Sequence, residues 1–178
     1  LISIEFHYCL NIFKKMQFDT IYHEHYSYLT LNSISRVAEY ADLKVVDAEE
    51  IDTQGGSLRV WLKKKVCKSK VNSDNISLIL NEEKTFGLEN IKTYYNLSNE
   101  VIKIKKEALI FLEKSKSDNK NVYGYGASAK ANTFINFLGI DSNLIKGIAD
   151  KSISKQNKFL PGSHIPIISP EDLESKNV

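Results

Sequence analysis

Two different spacings of hydrophobic and polar residues divide the first part of this chain. Branched and aromatic residues fill 43–51 and 57–62, and both runs have the composition of β-strands. The glycine-containing segment 53–56 separates them, so the pattern predicts a β-hairpin. Residues 32–40 instead place apolar side chains at helical spacing and predict a short helix. Residues 1–6 have the composition of a strand that is already under way.

The second part of the chain combines long helical patterns with short strand patterns. Residues 73–117 repeat apolar side chains at intervals of three and four between many lysines and glutamates, which predicts a helical connector. A short strand is predicted over 122–126, a helix over 127–138 and a further strand over 144–150. A proline-containing loop within 161–168 leads into another short strand. This alternation of strands and helices indicates an α/β fold.

Composition excludes several classes of function. The chain has 24 basic and 22 acidic residues and a net charge of +2, so we expect neither a nucleic acid nor a membrane as partner. No apolar run approaches the roughly 20 residues that a membrane-spanning helix requires. Cys9 and Cys67 lie far apart and form no CxxC pair, so neither a disulfide framework nor a zinc site is indicated. A reducing cytoplasm is the expected compartment.

Residues 18–28 concentrate side chains that can move a proton. The segment holds two of the four histidines, His23 and His25, together with Glu24 and three tyrosines. Imidazole exchanges a proton near neutral pH, and a neighbouring carboxylate or phenol can orient it. On a helix or turn, Tyr22 and His25 would point to one side, which suits a base assisted by a phenol. Adjacent positions on a helix diverge, and no third ligand is obvious for a strand, so we expect no metal site.

A glycine turn at Gly124-x-Gly126 introduces a second candidate chemistry. Glycines before a helix let backbone amides approach a phosphate at the helix N-terminus, and Lys130 would add a positive charge there. Asp150 would then either contact a ribose hydroxyl or begin a turn with Lys151. A nucleotide-binding module or an NAD-dependent oxidoreductase therefore stands as an alternative, beside a simple tight turn between strand and helix.

Four motifs occur in a fixed order along the chain. They are Phe18-Asp19-Thr20-Ile21-Tyr22-His23-Glu24-His25 with Tyr28, Gly55-Gly56-Ser57-Leu58-Arg59-Val60, Tyr125-Gly126-Ala127-Ser128-Ala129-Lys130, and Lys155-Gln156 with Pro161-Gly162-Ser163-His164-Ile165-Pro166-Ile167. Together they resemble the C-methyltransferases that act on nucleotide-linked deoxysugars, and the resemblance covers nearly the whole chain. The family often has glycine at the positions of Ala131 and Asn157.

The resemblance implies a three-part enzyme, of which this chain would hold the end of the middle domain and most of the third. Residues 1–66 would end a class I methyltransferase Rossmann-like domain that binds S-adenosylmethionine. Residues 67–117 would be a helical connector, and 118–178 a second Rossmann-like α/β domain. Most of the S-adenosylmethionine pocket would lie upstream, and zinc would belong only to an absent N-terminal domain. We expect such a fragment to be inactive alone.

The resemblance also implies roles for individual residues. His25 matches a base that removes the proton beside a ketone of the sugar, and the enolate carbon then attacks the methyl group of S-adenosylmethionine. Tyr22 and Glu24 match residues that stabilise the enolate and position the base. The nucleotide-sugar substrate would contact residues in or next to the other motifs: Arg59, Tyr125, Gly126, Ser128, Lys130, Asn132 and His164.

Overall fold

The computed structural model describes residues 1–68 and 71–176, which form two compact units. The first unit comprises Leu1–Phe18 and His25–Ser98, and the second comprises Asp19–Glu24 and Asn99–Val178. Both units combine helices with a small sheet, so the chain is mixed α/β as predicted. The predicted domain limits stay predictions. Among the described helices, none combines the length and the apolar character that a membrane-spanning helix needs.

The first unit is built on a three-stranded antiparallel sheet. Its strands are β1 (Ile2–His7), β2 (Leu43–Ile51) and β3 (Ser57–Lys64), in the spatial order β1-β3-β2. The predicted hairpin is confirmed, because β2 and β3 pair directly and the short 3-10 segment Thr53–Gly55 lies between them. That this sheet closes a class I methyltransferase domain stays a prediction.

Helices cover the apolar face of this sheet. Alternate residues of β3, namely Leu58, Val60 and Leu62, are buried in the core of the first unit. The helices are α1 (Cys9–Lys14), α2 (Leu31–Tyr40), α3 (Ser73–Phe86) and the first residues of α4 (Ile91–Ser117). The predicted helix is α2, and it begins in a capping box in which Thr30 and Ser33 bond each other's backbone N–H.

The predicted helical connector consists of two helices, α3 and α4. The first of them ends at Gly87, whose φ of 85° lies in the left-handed region that favours glycine. The hydroxyl of Thr93, in the first turn of α4, donates a hydrogen bond to the carbonyl of Gly87 at 2.8 Å. A helix C-cap therefore sets the break between the two helices.

A small parallel sheet organises the second unit. Its strands are β4 (Gly124–Tyr125), β5 (Ile148–Ala149) and β6 (Ile167–Ile168), in the order β4-β5-β6, with α5 (Ala129–Leu138) between β4 and β5 and α6 (Pro170–Glu174) after β6. Both predicted strands, 122–126 and 144–150, are longer than the observed ones. Before β5 the chain turns instead, since the Asp141 carboxylate accepts a hydrogen bond from the backbone N–H of Asn143 at 2.8 Å.

The hairpin turn of the first unit packs closely on the end of α1. Gly56 has a φ of 124°, and a Cβ at this position would lie 2.6 Å from Nδ2 of Asn11. The side chains of Lys15 and Gln17 each donate a hydrogen bond to the carbonyl of Gly55 at 2.9 Å. The Gly55-Gly56 pair is therefore explained by close approach and by backbone conformation.

Replacing Gly56 with alanine should destabilise the first unit. The added methyl group collides with Asn11 and forces alanine into a glycine-only backbone conformation, so we expect Gly56→Ala to lower the free energy of unfolding by about 1–3 kcal/mol. Urea unfolding followed by the fluorescence of Trp61, the single tryptophan, reports on this unit.

Gly87→Ala is the matched control for Gly56→Ala. The φ of Gly87 is also positive, but an added Cβ there would lie 3.2 Å from its nearest neighbour, Oγ1 of Thr93. The destabilisation by Gly87→Ala should therefore be smaller. Wild-type stability of Gly56→Ala would contradict the close approach.

Candidate functional site

The segment 18–28 is a loop whose two ends are fixed within the first unit. It leaves α1 through Gln17, whose side-chain amide donates to the carbonyl of Gly55. It returns at Leu29, whose carbonyl accepts a hydrogen bond from the backbone N–H of Cys9 at 3.0 Å. Between these anchors the chain forms a short 3-10 segment and turns rather than a regular helix.

Two imidazole rings meet at the end of β1. The ring centroids of His7 and His25 lie 4.4 Å apart, and the ring planes are tilted by 51°. Both side chains are half-buried. His25 is the predicted base, whereas the sequence analysis missed His7. A single histidine within a strand pattern carries no signal of its own, so only the structure reveals this neighbour.

The other two predicted catalytic residues, Tyr22 and Glu24, are grouped with the second unit. Tyr22 lies in a bend, and its ring is 6.3 Å from that of His23 in an edge-on arrangement. His23 and Glu24 form a turn. The boundary between the units falls between Glu24 and His25, so the cooperation of these residues with His25 stays a prediction.

The two cysteines are free thiols in different surroundings. Burial, followed by the nearby Glu83 carboxylate, raises the pKa of the Cys9 thiol to about 11, so this thiol stays protonated near neutral pH. Cys67 is exposed. Within residues 1–68 and 71–176, no three His, Cys, Asp or Glu side chains form a group that could hold a metal ion.

Arg59, a predicted substrate contact, lies between two carboxylates of its own sheet. Its guanidinium group donates to Glu5 of β1 at 3.1 Å and to Glu49 of β2 at 3.3 Å. The hydroxyl of Thr53 also donates to Glu5 at 2.7 Å. The hydrogen bond from Thr53, and then that from Arg59, holds the pKa of Glu5 below its usual value. Arg59 therefore connects all three strands, and its contact with substrate stays a prediction.

The glycine turn of the second unit has a structural explanation at each position. A Cβ on Gly124 would lie 3.1 Å from the side chain of Ile148 on the neighbouring strand. Gly126 has a φ of 95°, in the left-handed region, and its N–H donates to the carbonyl of Ala149 at 2.7 Å. The next amide, that of Ala127, donates to the carboxylate of Asp150 at 2.7 Å. The protein's own anion therefore occupies one amide of the predicted phosphate cradle.

Asp150 is the centre of a polar network that closes this turn. Its second carboxylate oxygen accepts from the N–H of Ser152 at 2.8 Å, which is the turn alternative considered from the sequence. Lys155 donates to the Ala127 carbonyl at 2.9 Å and reaches Asp150 at 3.4 Å, and Gln156 donates to the Asp150 carbonyl at 2.9 Å. The hydrogen bond from Ser152, followed by those from Ala127 and Lys155, lowers the pKa of Asp150. The Lys155-Gln156 motif thus stabilises the turn.

Three predicted substrate contacts, Ser128, Lys130 and Asn132, lie at the start of α5. Ser128 caps the helix, because its hydroxyl oxygen accepts from the N–H of Ala131 at 3.1 Å. Lys130 and Asn132 lie in the first turn and are half-buried. Tyr125 lies on β4, between the two glycines of the turn, and is 61% exposed. The structure places Ser128, Lys130 and Asn132 at one end of α5, while the contact of all four residues with a nucleotide sugar stays a prediction.

A residue that the sequence analysis missed, Asn136, joins α5 to the loop that carries His164. Its side-chain amide donates to the carbonyls of Asn132 and Pro161 at 2.8 and 3.0 Å. A Cβ on Gly162 would lie only 2.1 Å from Oδ1 of Asn136, so the motif glycine permits this contact. His164 itself is exposed and has a φ of 54°. Asn136 therefore links the first turn of α5, which contains Asn132, to the loop that carries His164.

Asn157 explains one of the two departures from the family pattern. Its φ of 59° lies in the left-handed region, where glycine carries no steric cost and asparagine is among the better tolerated residues. Its N–H donates to the carbonyl of Ile167 at 2.9 Å. The asparagine therefore meets the same backbone requirement as the glycine that the family often has.

Comparison with known proteins gives the family. Residues 52–177 match the model of the C-methyltransferase C-terminal domain. The chain belongs to this family. The chain is also 33% identical over 171 residues to the C-methyltransferase NovU of Streptomyces niveus. The match covers 96% of this chain and 40% of NovU, so the chain spans less than half of that relative's length.

The network around Asp150 makes the stability of the second unit depend on pH in a defined way. We expect Asp150→Asn to destabilise the second unit by about 1–3 kcal/mol at neutral pH, because an amide nitrogen replaces one acceptor. The folded-state pKa of Asp150 is lowered, so its contribution is present above about pH 4 and is lost as the pH falls through that lowered pKa. Hydrogen exchange of the Ala127 amide, measured across this range, checks the prediction.

Asp141→Asn is the matched control for Asp150→Asn. Asparagine can still accept the hydrogen bond from Asn143, so this variant should keep wild-type protection at Ala127. The Ala127 amide should exchange faster in Asp150→Asn than in wild type at neutral pH. A difference in exchange protection that stays constant from neutral to acidic pH would contradict the role given to the Asp150 carboxylate.

Proposed function

We propose that this chain is the C-terminal part of an enzyme that transfers a methyl group from S-adenosylmethionine to the carbon beside the ketone of a nucleotide-linked keto-deoxysugar. Family membership and the likeness to NovU support methyl transfer to carbon. The observation that carries the proposal is the placement of His25. Its loop is fixed at both ends in the first unit, and its ring contacts His7 at the end of β1.

A carbon beside a ketone becomes a nucleophile only after it loses a proton. In the proposed reaction neutral His25 takes this proton on a ring nitrogen, and the electrons of the C–H bond move into the enolate. Tyr22 donates a hydrogen bond to the enolate oxygen, and Glu24 orients the base. A positioned base contributes on the order of 10²- to 10⁴-fold to the rate, and a donor aimed at the developing charge contributes a comparable factor.

The second unit would bind the nucleotide sugar at the start of α5. Lys130 places a positive charge near the helix N-terminus, where a pyrophosphate is favoured. Asn132 supplies an amide in the same turn, and His164 lies on a loop that is bonded to α5. Because the Ala127 amide already donates to Asp150, side chains rather than this amide would hold the phosphates.

The methyl donor implied by the family is S-adenosylmethionine, which supplies an electrophilic methyl group to the enolate carbon. No residue in the described part of this chain is assigned to it. The motif most like a nucleotide site, Gly124-x-Gly126, has its following amide directed at Asp150, which leaves a negative charge where a donor carboxylate or a phosphate would sit.

An NAD-dependent oxidoreductase, the alternative from the sequence, has no specific observation in its favour. It would need Asp150 to contact a ribose hydroxyl. Both carboxylate oxygens of Asp150 already accept hydrogen bonds from Ala127 and Ser152, with Lys155 nearby. The network instead gives this residue a structural role.

His25→Ala tests the proposed function. In the enzyme at its full natural length, we expect this variant to lose methyl transfer by at least about 100-fold, because it removes the imidazole that takes the proton in the proposed reaction. Binding of S-adenosylmethionine, measured by calorimetry, should change little. Tyr26→Phe is the matched control, since Tyr26 is the next residue of the loop and is 93% exposed. Near-normal turnover of His25→Ala would rule the proposal out.

His164→Gly separates substrate binding from backbone strain. Glycine adopts the positive φ of His164 without cost, so we expect folding stability to change by less than about 1 kcal/mol. The KM for the nucleotide sugar should rise, because the imidazole is lost. Asn157→Gly removes a side chain at another positive φ and should leave the KM unchanged. An unchanged KM in His164→Gly would exclude His164 from the substrate site.

A further inference from the structure

Three oxygen atoms of the second unit surround the side-chain nitrogen of Asn136. This Nδ2 donates to the backbone carbonyls of Asn132 at 2.8 Å and Pro161 at 3.0 Å, and to the side-chain oxygen Oδ1 of Asn132 at 3.1 Å. A backbone carbonyl can only accept a hydrogen bond, so the end of the Asn136 amide that faces the two carbonyls is its nitrogen. One of the two possible orientations of this amide is therefore selected.

The oxygen of the Asn136 amide packs against a glycine. A Cβ on Gly162 would lie only 2.1 Å from Oδ1 of Asn136, so the amide can adopt this position only because residue 162 has no side chain. Asn136 is exposed, and water competes for its hydrogen bonds, so these bonds contribute little to stability. Their main consequence is the orientation of the groups that they join.

The orientation of Asn136 determines the orientation of the Asn132 side chain. Because a nitrogen of Asn136 faces it, Asn132 can bond Asn136 through its oxygen and not through its NH2 group. The NH2 group of Asn132 is thus the unengaged end of a half-buried side chain. Within residues 1–68 and 71–176 it has no hydrogen-bond partner. Asn132 therefore presents a donor, and not an acceptor, from the first turn of α5.

We propose that Asn136 is a positioning residue for the nucleotide-sugar site, where it turns the NH2 group of Asn132 toward an acceptor oxygen of the substrate. The inference rests on the proposed function, in which the start of α5 binds the nucleotide sugar. The acceptor is an oxygen of the nucleoside diphosphate or of the sugar, since both can accept an N–H donor. Asn136 acts through Asn132 and does not itself contact the substrate.

Asn132→Asp removes the donor and keeps the acceptor. Aspartate still offers an oxygen to Asn136 but has no NH2 group, so we expect the KM of the full-length enzyme for the nucleotide sugar to rise at least about 10-fold. Thr133→Asp is the matched control for the added negative charge, because it places a carboxylate on the next residue of α5. Its KM should rise less than about threefold. Equal increases in the two variants would overturn the proposal.

Competitive inhibition by thymidine diphosphate and by uridine diphosphate locates the acceptor. If Asn132→Asp weakens inhibition by these compounds as much as it raises the KM, the acceptor lies on the nucleoside diphosphate. If inhibition is unchanged while the KM rises, the acceptor lies on the sugar. Either result supports a donor at Asn132, whereas an unchanged KM together with unchanged inhibition would overturn it.

A double-mutant cycle tests whether Asn136 acts through Asn132. We expect Asn136→Ala to raise the KM about 5- to 10-fold with little change in kcat, and to add less than about twofold when Asn132 is already alanine. A wild-type KM in Asn136→Ala, or an equal effect in both backgrounds, would overturn the proposal. Hydrogen-exchange protection of the Leu160 amide, which donates to the carbonyl of Ile165 at 2.9 Å, confirms that the loop is folded in each variant.

The outcomes separate this inference from the proposed function. If His25→Ala is inactive while the variants at Asn132 and Asn136 keep the wild-type KM, only the orientation role is wrong. If His25→Ala retains turnover, the proposed base is wrong, and the inhibition constants still show whether Asn132 donates to the nucleotide.

Discussion

The close approach of the Gly55-Gly56 turn to the end of α1 is the constraint on which the first unit depends. Asn11 leaves no room for a side chain at Gly56, and Lys15 and Gln17 both bond the carbonyl of Gly55. These contacts join the β2–β3 hairpin to the point where the His25 loop begins. A pair of glycines far from the histidines in sequence thus helps to fix where the loop starts, and the hydrogen bond from Cys9 to Leu29 fixes where it ends.

The second unit uses its own charges to shape a turn that resembles a nucleotide site. Gly124 and Gly126 satisfy strand packing and a positive φ, and the Asp150 carboxylate takes the amide of Ala127. A ligand phosphate would have to replace this carboxylate or lie beside it, which separates the turn from a dinucleotide fingerprint. Recognition of a nucleotide sugar by this unit would therefore depend on side chains such as Lys130 rather than on the turn amides.

Periodicity and glycine placement predicted the hairpin, α2, the helical character of the connector and the helix after the glycine turn, because each has a strong local pattern. The lengths of β4 and β5 were not predictable in this way. Turn formation at Asp141 depends on one side-chain hydrogen bond, which hydrophobic spacing does not record. His7 and Asn136 were missed for a related reason, since each contacts a residue that is distant in sequence, His25 or Pro161.

Proton exchange without methyl transfer tests the central claim, that His25 is a base held at the end of β1. The full-length enzyme is incubated in D₂O with a nucleotide-linked keto-deoxysugar and without the methyl donor, and the proton beside the ketone is followed by nuclear magnetic resonance. The account predicts that deuterium replaces this proton with the wild-type enzyme and at least about 100-fold more slowly with His25→Ala. Equal rates of exchange for the two proteins, both above the rate without enzyme, would contradict it.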